Sequence, residues 1–120
     1  MILFIGSANL STNFISSFFI SNEYTASASE VFIISLKENL NAKQVGTKTY
    51  GKGTVQEMVD LGDGDQYKIT TKKWLSPKGI WINDTKGIEP DVEVKDYTDE
   101  NNNKDVQLEE SIKVALEQIK

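Results

Sequence analysis

The sequence predicts a mixed α/β (α+β) domain built in layers, and three observations carry that prediction. A capping-box pattern at Ser27-Ala28-Ser29-Glu30 announces a helix, and alternating residues around Gly62-Asp63-Gly64-Asp65 announce a β-hairpin. A closing stretch with apolar residues at helical spacing announces a second helix. The order strand, helix, several strands, helix is that of a layered domain.

Taken in order, Phe18-Phe19-Ile20 is a short β-prone run. Ser27 then reads as N-cap with Glu30 three residues on, so a helix should start at Ser27. Val31, Phe32, Ser35 and Leu36 share one face, Lys37 and Glu38 turn outward, and Asn39–Asn41 ends the helix. Gln44–Gly46 is a short strand, and Thr54–Leu61 alternates apolar with polar. Gln66–Thr71 alternates again, with Tyr67 and Ile69 on one side. Ser76-Pro77-Lys78-Gly79 suits a tight turn and predicts a further hairpin across Trp74–Ile82. Gly87–Asp91 turns into a short strand at Val92–Val94, and Thr98–Asp105 reads as an exposed linker. Leu108, Ile112, Ala115 or Leu116, and Ile119 make the last helix, Gln107–Lys120, amphipathic.

Composition narrows the chemistry. With 120 residues and 38% hydrophobic content, the chain fits one small domain or a piece of one. Its 13 basic and 18 acidic residues give a net charge of -5 with no dense basic block, which argues against a nucleic-acid partner. The absence of cysteine excludes disulfides, thiolate nucleophiles and Cys-ligated metals. The absence of histidine excludes a Ser-His-Asp triad within the chain and the usual nitrogen ligand for zinc, so no metal and no cofactor is expected. Any general base must be a lysine, a carboxylate or a group from another chain. Residues 1–22 carry no charge, and their apolar runs, Met1–Ile5 and Phe14–Ile20, are too short for a membrane span. They also lack the positive start of a signal peptide.

Two residues could carry chemistry. Ser27 sits where an extended segment turns into a helix, at the unpaired N–H groups that favour developing negative charge. Its plain alternative is a helix cap and nothing more. Lys52 lies in Gly51-Lys52-Gly53-Thr54, whose glycines permit unusual backbone angles. A phosphate-binding loop is one reading of such a segment, but the Walker spacing fails because Gly53 follows the lysine. An exposed turn lysine is the other plain alternative. A lysine can stand in for histidine as a base where burial disfavours its charged form. Gln56, four residues on, offers an amide that could aim such a lysine.

The runs Asn22-Glu23-Tyr24-Thr25-Ala26-Ser27-Ala28-Ser29-Glu30 and Val45–Gln56 resemble the two core motifs of the carboxyl-terminal processing peptidases, also called tail-specific proteases. The 25 residues separating Ser27 from Lys52 also resemble the family's spacing. Ile69-Thr70-Thr71, Leu75–Gly79 and Lys86–Asp91 are similar to later segments of that core, and Gln107–Lys120 to its closing helix. The resemblance implies a β-rich layered core of the ClpP/crotonase-like type, incomplete here. Residues 22–120 would form the C-terminal part of a serine peptidase catalytic domain without a PDZ domain, after an atypical lead-in over 1–21.

By position, the resemblance implies Ser27 as nucleophile, Lys52 as general base, Gln56 as the residue orienting it, and the Ala28 N–H as one oxyanion donor. Ser29 and Glu30 would cap and orient the helix. The implied partners are protein or peptide substrates at their C-terminal tails, with homo-oligomerisation left open, and the implied location is periplasmic or otherwise extracytoplasmic. A segment supplying the second oxyanion N–H precedes the nucleophile in full-length members. Weak or absent activity of this chain alone is therefore expected, and a non-catalytic remnant or peptide-binding scaffold is the alternative.

Overall fold

The structure, a computed structural model, describes residues 2–4, 18–95, 98–99 and 104–119. Residues 5–17, most of the atypical lead-in, lie outside the described residues, as do 100–103 in the expected linker.

A βαβ unit forms the first layer. Strand β2 (Phe18–Ser21) runs parallel to β3 (Lys43–Gly46), and helix α1 (Ala28–Leu40) is the crossover that a parallel pair needs. Strand β6 (Val92–Glu93) adds to the far side of β3, also in parallel. The helix stops where expected: Asn41 takes left-handed angles (φ 55°) and its N–H returns to the Leu36 and Lys37 carbonyls.

The second sheet is a long hairpin of β4 (Thr54–Gly62) and β5 (Asp65–Leu75), with β1 (Ile2–Phe4) laid parallel on the other edge of β5. Asp63 (φ 54°) and Gly64 (φ 88°) make the two-residue, positive-φ turn that Asp-Gly favours. The predicted second hairpin at Trp74–Ile82 shrinks to one bridge, Leu75 to Trp81. The tight turn is there, with the Gly79 N–H on the Ser76 carbonyl at 2.8 Å, but Trp74 belongs to β5 and a one-turn helix, α2 (Ile82–Thr85), replaces the return strand. The cause is tertiary, because both indoles are committed to the loop before β4.

Thr98–Asp105 is not simply a linker. Its ends, β7 (Thr98–Asp99) and β8 (Lys104–Asp105), pair antiparallel, and the Asp105 carboxylate accepts the Leu108 N–H at 2.9 Å to cap α3 (Val106–Ile119).

The interior differs from the expected helix faces. On α1 the buried apolar residue is Ile33, 5% exposed, packed with Trp74, Ile82 and Ile88, while Phe32 is 58% exposed with its ring edge-on to Phe19. Lys37 does not turn outward. Its ammonium donates to Gln44 Oε1 (2.9 Å) and the Glu89 carbonyl (2.8 Å) and pairs with Asp91 (2.9 Å). Glu38 is drawn in too, holding the Ser76 hydroxyl and the Lys78 N–H. Among the described side chains of α3 the buried ones are Gln107 and Ser111, against β2 and β3, while Leu108, Ile112 and Leu116 stay exposed. Much of the interior is therefore polar, and no buried side-chain nitrogen or oxygen among the described residues lacks a partner. No described helix is long and apolar enough to cross a membrane.

Candidate active site

The serine is delivered by a braced turn. After β2, the Asn22 side chain accepts the Tyr24 N–H at 3.0 Å, and the Thr25 N–H returns to the Asn22 carbonyl at 3.0 Å. Ser27 then adopts φ 55°, ψ −117°, a positive-φ conformation costly for a non-glycine residue. Strained serines at strand-to-helix turns are the geometry of a nucleophile elbow, which exposes the hydroxyl at the head of a helix. Ala28, the first residue of α1, offers one of the N–H groups that a helix start leaves without an intrahelical acceptor.

Lys52 is held by an equally braced loop. Each main-chain N–H from Thr49 to Gly53 donates to an acceptor: Ile88 O, Thr25 O, Glu30 Oε1, Glu30 Oε2 and Asn83 Oδ1 in turn. The Trp74 indole donates to the Lys52 carbonyl (3.1 Å) and the Trp81 indole to the Gly53 carbonyl (2.9 Å). A phosphate cradle needs free N–H groups converging on an anion, and here they are all spent internally. Gly51 is required at its position, because φ is 93° and a Cβ would meet the Gly87 nitrogen at 2.6 Å.

Glu30 joins the two segments. Fully buried at 0% exposure, its carboxylate accepts the Ser27 N–H (2.9 Å), the Thr49 hydroxyl (2.6 Å), and the Gly51 (2.6 Å) and Lys52 (2.8 Å) N–H groups. The capping box thus has its glutamate arm, and that same carboxylate spans to the lysine loop. Thr49 extends the link by accepting the Ile88 N–H at 2.8 Å. The sequence marked Glu30 as a local cap only, because its three distant partners leave no trace in local spacing. Asn83 and the two tryptophans had no signal at all.

Ser27, Ala28, Lys52 and Gln56 line one cleft of about 420 Å³, walled by Val31, Val55 and Trp74. Gln56 follows Thr54 on the same face of β4 and sits at a register shift, opposite Thr70 where Val55 is opposite Lys72. Such bulges re-aim a side chain. Lys68, not singled out from the sequence, also reaches this cleft. The four residues expected together are therefore brought together, and Ser29 faces a different, apolar groove beside Phe19 and Phe32. Among the described residues no three His, Cys, Asp or Glu side chains gather as a metal would need.

A serine on a positive-φ turn at a helix head thus shares a cleft with a lysine from a braced loop. Residues 13–94 match the model of peptidase family S41, and the chain belongs to that family. Its relatives there are carboxyl-terminal processing proteases. Carboxy-terminal processing protease CtpB of Bacillus subtilis is 44% identical over 99 residues, 81% of this chain and 20% of that protein. A probable CtpA-like serine protease of Staphylococcus epidermidis is 49% identical over 73 residues, 61% of this chain and 15% of its own length. Among solved structures, the photosystem II D1 C-terminal processing protease is similar at TM-score 0.60 and 38% identity, over 67% of this chain and 20% of that one. The tricorn protease is similar at TM-score 0.57 and 28% identity, over 88% of this chain and 11% of that one. The chain thus spans a fifth or less of the length of these relatives.

Proposed function

We propose that this chain carries the catalytic centre of a serine endopeptidase that cleaves proteins near their carboxyl termini, with Ser27 as nucleophile and Lys52 as general base. Residues 22–120 would be the C-terminal part of its catalytic domain, acting outside the cytoplasm. The observation carrying this reading is that Glu30 ties the serine turn and the lysine loop to one carboxylate, so both side chains enter one cleft.

In this mechanism the Lys52 amine accepts the Ser27 hydroxyl proton as Oγ attacks the scissile carbonyl carbon. The carbonyl π electrons move to oxygen, and the Ala28 N–H at the helix head donates to that oxyanion. Collapse of the tetrahedral species breaks the C–N bond. The Lys52 ammonium returns its proton to the leaving amine, and an ester on Ser27 remains. Water then attacks the ester as Lys52 takes its proton, the C–Oγ bond of the second tetrahedral species breaks, and the Lys52 ammonium returns the proton to Ser27 Oγ as the carboxyl product leaves. Gln56 holds the amine on line through its side-chain oxygen.

Peptide binding without turnover is the second reading. It is favoured by the exposure of β4, which has an unpaired outer edge among the described strands and could add an extended peptide. The test is cleavage of an unstructured peptide with an apolar carboxyl-terminal tail, read by mass spectrometry, for the chain and its Ser27→Ala and Lys52→Ala variants. Cleavage falling by about 10⁴ or more in both variants is expected if the pair acts as a unit. Cleavage that survives Ser27→Ala would sink the proposal, and a folded chain that binds the peptide uncut would favour the second reading.

A further inference from the structure

The lining of the cleft is electrically one-sided. Beside the Lys52 amine, Lys68 enters it as a cation and, among the described residues, no aspartate or glutamate does, although the chain as a whole carries a net charge of -5. Lys68 lies opposite Met58 on the hairpin, two pairs outward from Gln56 and Thr70. Residues two apart share a face, so Lys68 stands on the Gln56 side, about 7 Å further along, the length of two extended residues.

The neighbouring cations of β5 are otherwise engaged. Lys72 pairs with Glu57 at 3.1 Å, and the Lys73 ammonium lies 4.8 Å from the centre of the Trp81 ring. Among the described residues, no carboxylate lies within ion-pair distance of Lys68. Lys68 is thus an exposed cation without a counter-ion among the described residues, standing on the lining of a cleft that also holds Val31, Val55 and Trp74, where it can attract an approaching anion.

We propose that Lys68 is a specificity-determining residue that draws a substrate carboxylate into the cleft within about two residues of the bond beside Ser27. This rests on the peptidase reading of the cleft and names its substrate class, peptides carrying a carboxylate close to the cut. The carboxylate is either an acidic side chain or the free carboxyl terminus, and both would present the same two oxygens to the ammonium.

The experiment titrates the Ser27→Ala chain, which cannot turn over, with fluorescent peptides of one sequence read by anisotropy. One peptide has glutamate two residues from the intended bond and an amidated end. A second has glutamine there and an amidated end, and a third has glutamine and a free carboxyl terminus. Binding about three- to fivefold tighter than the second peptide is expected for the first or the third, the size of a partly exposed ion pair. Preference for the first assigns the side chain, and for the third alone the terminus. Adding Lys68→Gln should collapse the preference to about 1.5-fold or less, as should salt near ~1 M, while Lys72→Gln should retain it.

Equal binding of all three peptides, a preference that survives Lys68→Gln, or no binding of any peptide would each overturn the inference. Turnover of the second peptide by the chain with Ser27 intact separates the two readings. Turnover without carboxylate preference removes the role of Lys68 and keeps the peptidase, whereas a Lys68-dependent preference without turnover does the reverse.

Discussion

Replacing Glu30 with glutamine isolates the contact on which the site depends. The substitution preserves shape but exchanges one acceptor oxygen for an NH₂ group. Each carboxylate oxygen accepts two hydrogen bonds, Oε1 from Thr49 and Gly51 and Oε2 from Ser27 and Lys52. Whichever way the amide turns, it sets donors against donors in a site with no water access. Rotation of the Thr49 hydroxyl could recover one bond. The others are bonds to a charged acceptor, so a net loss of about 2–3 kcal/mol is expected. For a domain of this size that lowers the melting temperature by about 8–15 °C. The assay pairs thermal unfolding with amide hydrogen exchange, because the loss should concentrate at Ser27, Gly51 and Lys52. A double-mutant cycle with Thr49→Val should show a coupling above about 0.5 kcal/mol. If Glu30→Gln changes stability by less than about 0.5 kcal/mol and leaves exchange at those three amides untouched, the carboxylate is not the link described here.

Asp91 makes stability depend on acid. Burial pushes its carboxyl up, but the Lys37 ammonium, the Gln44 N–H and the nearby Lys43 charge outweigh this and hold it below the usual aspartate value of 3.8. A depressed carboxylate contributes stability above its unfolded value and loses it as pH falls through the folded one. Asp91→Asn should therefore cost about 1 kcal/mol at neutral pH and remove that acid-side loss below pH 3.8, checked by urea titration at several pH values. On α3, Leu116→Glu should change stability by less than about 0.5 kcal/mol, whereas Ser111→Leu should cost about 1–3 kcal/mol by overpacking, because Ser111 is 0% exposed and Leu116 is 56%. The opposite ranking in chemical denaturation would place the apolar stripe of α3 in the interior.

Local features were legible where a single stretch of sequence determined them. The Asp63-Gly64 turn, the helix start at Ser27 and its end at Asn41 follow from short-range chemistry, and they form as expected. Helix faces were not legible, since a periodic stripe says which residues are alike, not which side meets the next layer. On α3 the apolar stripe lost to Gln107 and Ser111, whose bonds to the Val94 carbonyl (3.0 Å) and the Gln107 carbonyl (2.7 Å) let the helix lie close over β2 and β3. On α1 the outward assignment of Lys37 failed for a similar reason, because its three oxygen partners come from Gln44, Glu89 and Asp91 on other elements. The motifs placed Ser27, Ala28, Lys52 and Gln56 in one cleft, but Lys68 came from a register that no motif encodes.

The division between polar interior and exposed apolar surface bears on how the site keeps its shape. Met58, Val59, Leu61, Tyr67 and Ile69 on the hairpin are exposed, as are Leu108, Ile112 and Leu116 on α3, so apolar burial within this chain is modest. Hydrophobic contacts are non-directional and would tolerate a shift of the lysine loop by an ångström. The bonds converging on Glu30, Asn83 and the loop carbonyls would not, because each is lost outright when its geometry fails. Placing those bonds in the interior raises the cost of breaking any one of them, since water cannot replace the lost partner. The Ser27 turn and the Lys52 loop are therefore fixed to each other directly, whatever else covers the apolar faces. That independence is what allows a serine and a lysine 25 residues apart to keep a common register in so small a core.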